Sequence, residues 1–172
     1  GRRGDCVLMR LILTRPQDEL GELVEQLSAI GHSCIESPLL SIQMRQDAAI
    51  PERGYQALAL SSANAMRHPS LNPAPAILAT IKVFAVGAQS AMAARQAGYR
   101  DVRAEGGNVE GLVRAIARDC DPKSRPVLYP SGADTAGDLK GMLEAQGFAV
   151  ERVILYNAIA AKTLSPQTVA AL

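Results

Sequence analysis

The sequence predicts an α/β protein built on parallel sheets, with one domain split in sequence and a second domain inserted in its middle. Three observations predict it. Short apolar runs alternate with amphipathic stretches that close on glycine, the pattern of successive strand–helix–strand units. The opening unit offers only two strands around one helix, too little sheet to bury that helix's apolar stripe. The stretch from about residue 41 to 160, by contrast, holds enough strands for a sheet of its own. The opening unit is therefore expected to draw its partners from beyond residue 160. A length of 172 residues allows this, being one domain or two small ones at roughly 150 residues per domain.

Residues 1–8 precede Met9 and read as a tag or upstream remnant outside the fold. Leu11, Ile12 and Leu13 form a buried-strand run that ends in Thr14-Arg15-Pro16. From 17 to 30 the residues Leu20, Leu23, Val24, Leu27 and Ile30 share one helical face, and Gly31 follows as the closing glycine. Residues 34–37 read as a second strand stopped by Pro38, and the polar stretch 38–51 reads as a connection. The run at 57–60 is the next strand, leading through Ser61-Ser62-Ala63-Asn64 into a short helix, and Pro69, Pro73 and Pro75 make a loop.

Residues 83–87 then give a strand and 88–97 a helix closed by Gly98. After a short strand at 102–104, Gly106-Gly107 is a turn into the clearest helix of the chain. There Asn108 is the N-cap, and Val109, Leu112, Val113, Ile116 and Cys120 form the apolar stripe. A strand at 127–129 is expected to feed a helix from about 134 to 146, carried by Leu139, Met142 and Leu143. The apolar run 150–160 exceeds the usual strand of roughly 5–6 residues. Ser165 as N-cap and Pro166 at the first position start a last helix. It stops after barely two turns, so the natural protein is expected to be longer.

Composition excludes several classes of function. With 48% hydrophobic and 20% charged residues the chain can build a core. Its 18 basic and 17 acidic residues leave a net charge of +1, no field for drawing in nucleic acid or an anionic membrane. Aromatics are 3% with no Trp, too few for a base-stacking platform. No apolar run approaches the ~18–20 residues of a membrane span. Cys6, Cys34 and Cys120 match neither a disulfide framework nor a zinc site, and a reducing cytoplasm is the default. Glycine-fingerprint, phosphate-loop, metalloprotease and serine-hydrolase motifs are absent. His32 and His68 read as structural or exposed.

The candidate chemistry lies in a repeated junction. Four strands run into helices through small or hydroxylated residues: Thr14-Arg15-Pro16, Ser61-Ser62-Ala63, Gly87-Ala88-Gln89-Ser90 and Ser131-Gly132-Ala133-Asp134-Thr135. In open α/β sheets ligands lie at the carboxyl ends of strands, where helix N-termini present unpaired N–H groups. Such ends hold anions without net positive charge. Ser and Thr are also favoured there as ordinary N-caps, and that reading stays open beside the anionic ligand.

The same residues carry a family resemblance. Thr14-Arg15-Pro16, Pro38-Leu39-Leu40, the strand into Ser61-Ser62-Ala63-Asn64-Ala65, Ala85-Val86-Gly87 with Ser90-Ala91, and Gly147 followed by Val153 and Tyr156 resemble, in order and spacing, the uroporphyrinogen-III synthase family. The likeness runs from about residue 9 to 160. It implies two α/β domains joined by a pair of extended strands, the second inserted in the first. The domains would be 9–39 plus 161–172, the first and incomplete here, and 40–160, the second.

The resemblance also implies a reaction. The family cyclises linear hydroxymethylbilane with loss of water and inversion of the last pyrrole ring, toward haem and other tetrapyrroles. No metal or organic cofactor is implied, and the partner is a small-molecule tetrapyrrole with eight carboxylates. The expected enzyme is a cytoplasmic monomer with no nucleic-acid or membrane partner. Thr14, Arg15, Ser61, Ser62, Ser90 (where the family usually has Thr) and Gly132 stand at matching substrate-binding positions. Tyr156 stands where the family usually has Tyr, as a hydroxyl able to protonate the departing hydroxyl, with a strand aromatic at the interdomain surface as the plainer reading. Ala136 replaces an Arg that many members carry, and the family's closing third is absent. A chain ending at Leu172 is therefore expected to be inactive as written. The alternative is a non-catalytic α/β module that binds a small anion at the same helix N-termini. A nucleotide-binding domain is weakened by the missing glycine fingerprint.

Overall fold

A computed structural model describes residues 8–17 and 20–171. The expected remnant at 1–8, Leu8 apart, lies outside the described residues, as do Cys6 and positions 18 and 19 of the first expected helix. The chain divides into two compact units, one running to Ile42 and resuming at Ala158, the other spanning Gln43–Asn157.

The first unit holds β1 (Arg10–Leu13), α1 (Leu20–Ala29) and β2 (Ser33–Glu36). The two strands pair in parallel with Ile12 opposite Ile35. Helix α1 ends one residue before Ile30, which is 58% exposed, and of its expected apolar stripe only Leu20 is fully buried. Gly31 closes the helix at φ +93, the left-handed value that favours glycine. The last helix, α5 (Pro166–Ala171), packs on β2. Its Ser165 hydroxyl accepts the Thr168 amide at 3.2 Å, as the Ser-Pro start predicts.

Strands β3 (Leu40–Met44) and β8 (Val150–Ala160) run across the boundary between the units and are neighbours at one side of a six-stranded sheet. The stretch 38–51 is thus corrected from a connection to a connection that contains an edge strand. Its alternation of apolar Leu40, Ile42 and Met44 with polar neighbours is short and is hidden among the charges that follow.

In the second unit the sheet order is β3-β8-β7-β4-β5-β6. Here β4 is Ala57–Leu60, β5 Lys82–Ala85, β6 Asp101–Ala104 and β7 Val127–Gly132. The pairs β4–β5, β4–β7, β5–β6 and β7–β8 are all parallel. A 3-10 turn, Ala63–Arg67, follows β4, and the helices are α2 (Ala88–Gln96), α3 (Val109–Asp119) and α4 (Leu139–Glu144). Ala57 and Ala59 of β4 join Phe84, Leu112, Ile116, Leu139 and Leu143 in one core cluster. The small alanines let α3 and α4 lie close on the sheet, and each fully buried Leu or Ile contributes about 1.5–3 kcal/mol. Leu58 and Leu60 point the other way by strand alternation and are also fully buried.

Two elements differ from expectation at one place. Strand β7 continues past Tyr129 through Pro130 and Ser131 to Gly132, and α4 starts at Leu139 rather than near 134. The six residues 133–138 form a loop in which the Thr135 hydroxyl bonds the Gly137 carbonyl at 3.0 Å. Gly137 is a poor helix residue, and Asp138 caps α4 instead, its carboxylate accepting the Gly141 amide at 2.9 Å. The junction at Gly132 is therefore a strand end, not a helix N-terminus.

Candidate functional site

Strand order reverses between β4 and β7: the chain steps from β4 outward to β5 and β6, then returns to the far side of β4. Ligands in open α/β sheets lie at the carboxyl ends of strands at such a reversal. A cavity of about 520 Å³ lies there, with Ser61 and Ser62 beyond β4, Gly132 at the end of β7, and Tyr156 of β8 in its wall. Four of the seven residues singled out in the sequence thus meet in one cavity.

Tyr156 is placed by the backbone. Ser131 pairs with Ile154, but Gly132 pairs with Tyr156, so β8 carries one extra residue at this point. Such a bulge re-aims a side chain at a strand end. The Tyr156 carbonyl accepts the Ala133 amide at 2.9 Å. The ring packs on Gly132 so closely that a Cβ there would sit 2.7 Å from its Cε2. Glycine is needed at 132 for close approach, not for a left-handed backbone. Tyr156 is 7% exposed, and among the described residues no protein group hydrogen-bonds its hydroxyl.

Ser62 is a cap: its hydroxyl accepts the Asn64 amide at 3.2 Å at the start of the 3-10 turn. Ser61 shares a hydrogen bond of 3.3 Å with the hydroxyl of Tyr129, a buried residue that also lines the cavity. Ser90 is buried in the first turn of α2, after Gly87 as cap, and does not line the cavity. Thr14 and Arg15 follow β1 in the first unit, where both are exposed. The Thr14 carbonyl accepts the Leu39 amide at 3.1 Å.

The sequence reading missed most of the remaining wall. Gly107 (φ +85) and Asn108 bring in the N-terminus of α3, where the Asn108 side chain accepts the Gly111 amide at 2.8 Å. The amides of Val109 and Glu110, in the same first turn, have no intrahelical acceptor. Glu110, Asp134 and Asp138 also line the cavity, and no Lys or Arg among the described residues does. This rim is acidic, and the donors it offers an anion are the first-turn amides of α3. His68 takes its structural role: buried, it donates from Nε2 to the Arg45 carbonyl at 2.8 Å, and its Nδ1 lies 2.8 Å from the Ser70 hydroxyl. Among the described residues no group of three or more His, Cys, Asp or Glu is arranged to hold a metal ion. No helix among them is long and apolar enough to cross a membrane.

Comparison with known proteins gives the family. The family model described as uroporphyrinogen-III synthase HemD matches residues 21–172. The chain belongs to the uroporphyrinogen-III synthase family. Curated proteins gave no match. Among solved structures, the uroporphyrinogen-III synthetase of Helicobacter pylori is similar at 18% identity and TM-score 0.57, over 83% of this chain and 62% of that one. A mutant uroporphyrinogen III synthase of the extremely thermophilic bacterium Thermus thermophilus is similar at 14% identity and TM-score 0.57, over 90% of this chain and 64% of that one. The likeness establishes a shared mixed α/β, mainly parallel fold. The chain spans 62–64% of the length of these two synthases.

Proposed function

We propose that the protein is a uroporphyrinogen-III synthase, a lyase that closes linear hydroxymethylbilane with loss of water and inversion of ring D. One observation carries the reading beyond family membership: a phenol, Tyr156, more than nine-tenths buried, stands without a hydrogen-bond partner among the described residues in the wall of a cavity at the strand reversal. A hydroxyl so placed can protonate the departing hydroxyl of the substrate. Hydroxide then leaves as water, and the carbon that held it becomes part of a cationic azafulvene. Attack by the ring D carbon gives a spiro intermediate, which reopens and recloses with the ring inverted. The proton lost from the final pyrrole returns to the phenolate, so the phenol is regenerated.

The acidic rim suits this course. Glu110, Asp134 and Asp138 favour a carbon gaining positive charge and accept pyrrole N–H groups. They disfavour the substrate's own carboxylates, for which the first-turn amides of α3 are the available donors in this unit. Thr14, Arg15 and Ser90 are substrate contacts on the family pattern alone, with no support from the cavity. The two units serve as the family's domains, the second inserted in the first. This reading places the enzyme in the cytoplasm as a monomer.

The test is a coupled assay on the full-length gene product, fed hydroxymethylbilane, with products oxidised and separated by isomer. Isomer III in proportion to enzyme is expected. Isomer I alone, the product of spontaneous closure, contradicts the proposal.

A further inference from the structure

Arg152 stands on β8 ahead of Tyr156 and lines none of the cavity, yet it reaches the backbone that sets the cavity's phenols. Its Nε donates to the Ser131 hydroxyl at 2.9 Å, and its Nη2 donates to the carbonyls of Gly132 at 2.9 Å and Ala133 at 2.8 Å. The Ser131 hydroxyl in turn donates to the Gly132 carbonyl at 2.9 Å. The guanidinium also sits 5.9 Å from the centre of the Tyr129 ring, whose hydroxyl is bonded to Ser61. Three consecutive residues of β7 and its following loop are thus tied to one half-buried side chain.

We propose that Arg152 is a positioning residue for the reaction assigned above: it holds the end of β7 in the bulged register that presents Tyr156 to the substrate. The physical need is clear from the ladder. At the bulge, β7 and β8 lose a regular pair, and carbonyls that a sheet would satisfy are left to other donors. A planar guanidinium offers several donors in a fixed fork, so one residue satisfies both carbonyls and the hydroxyl. Lysine presents a single point charge and cannot span the same set. Because Gly132 meets the Tyr156 ring at contact distance, a shift of this strand end is transmitted directly to the phenol.

The proposal rests on the assignment of Tyr156 as proton donor, and its test separates the two. The four tyrosines are replaced by 3-fluorotyrosine, and each fluorine resonance is assigned by single Tyr-to-Phe changes. In Arg152→Met the resonances of Tyr156 and Tyr129 should both move while those of Tyr55 and Tyr99 stay. Arg152→Lys should not restore them. In the full-length enzyme, Arg152→Met should lower kcat by about 10²-fold with KM little changed, the scale of a misplaced reacting group. Combined with Tyr156→Phe it should add almost nothing to the loss from Tyr156→Phe alone. If Arg152→Met does not fold, Ser131→Ala removes one of its three partners and should move the same two resonances by less. An unmoved Tyr156 resonance overturns the positioning role whatever the kinetics. Moved resonances with an unaffected Tyr156→Phe enzyme support the positioning role and reject the proton-donor assignment instead.

Discussion

A methyl group added to Gly132 is aimed at the ring of Tyr156. Its Cβ would lie 2.7 Å from Cε2 and 2.9 Å from Cζ of that ring, and 3.2 Å from the Asp134 carbonyl oxygen. The ring has little room to yield, since Tyr156 is 7% exposed and its backbone is paired with Gly132 itself. Overpacking of this kind costs about 1–3 kcal/mol. Gly132 does not have positive φ, so alanine strains no backbone there and gains roughly 0.4–1 kcal/mol by restricting the unfolded chain. The difference predicts an effect of Gly132→Ala between roughly none and a loss of about 2.6 kcal/mol. Urea unfolding of four proteins measures it: the parent, Gly132→Ala, Tyr156→Ala and the double variant. With the ring gone the clash is gone, and Gly132→Ala should then be neutral or slightly stabilising. A coupling of about 1–3 kcal/mol between the two sites is expected. Equal cost of Gly132→Ala in both backgrounds would refute the contact between strand end and phenol.

Other expectations follow from single groups. Asn108→Ala removes the side chain that accepts the Gly111 amide at 2.8 Å, and should cost about 0.5–2 kcal/mol in the same unfolding measurement. Asn108→Asp should cost much less, because it keeps an acceptor. The Tyr99 hydroxyl is buried with no hydrogen-bond partner among the described residues, so Tyr99→Phe should leave stability unchanged or raise it by about 1–3 kcal/mol, and a loss above about 1 kcal/mol would show a hidden partner. Burial also pushes the Tyr99 hydroxyl well above its ordinary value of 10.0. The folded state therefore keeps this proton where the unfolded chain gives it up, and stability should fall as pH rises past that value. The fall should be shallower in Tyr99→Phe.

What was legible in the sequence was local. Ala57–Leu60 stands where its apolar run lies, because a strand buried on both faces needs no partner to be recognised, and the long β-prone run Val150–Ala160 forms a strand over its whole length although only Leu155 and Tyr156 in it are buried. Asn108 and Ser165 were legible as caps because a cap bonds residues only three positions away. The start of α4 was not, since Asp134, Thr135 and Asp138 are all plausible caps and the structure uses the last. The site was legible at strand ends, where Ser61, Ser62, Gly132 and Tyr156 meet. Tyr129 and Arg152 were missed because they become neighbours only through the pairing of β7 with β8, which puts Tyr129 opposite Arg152. The acidic rim was missed for the same reason: Glu110 and Asp134 are 24 positions apart in the sequence.

The proton-donor role of Tyr156 is tested most directly by Tyr156→Phe in the full-length enzyme. The substitution removes the hydroxyl and leaves the ring packed on Gly132. General acid catalysis is typically worth ~10²–10⁴ in rate, so kcat should fall within that range while KM changes little. The residual product should still be isomer III, because the cavity that orders the substrate remains. A Phe variant with the parent kcat would contradict the role and leave the phenol as part of the wall.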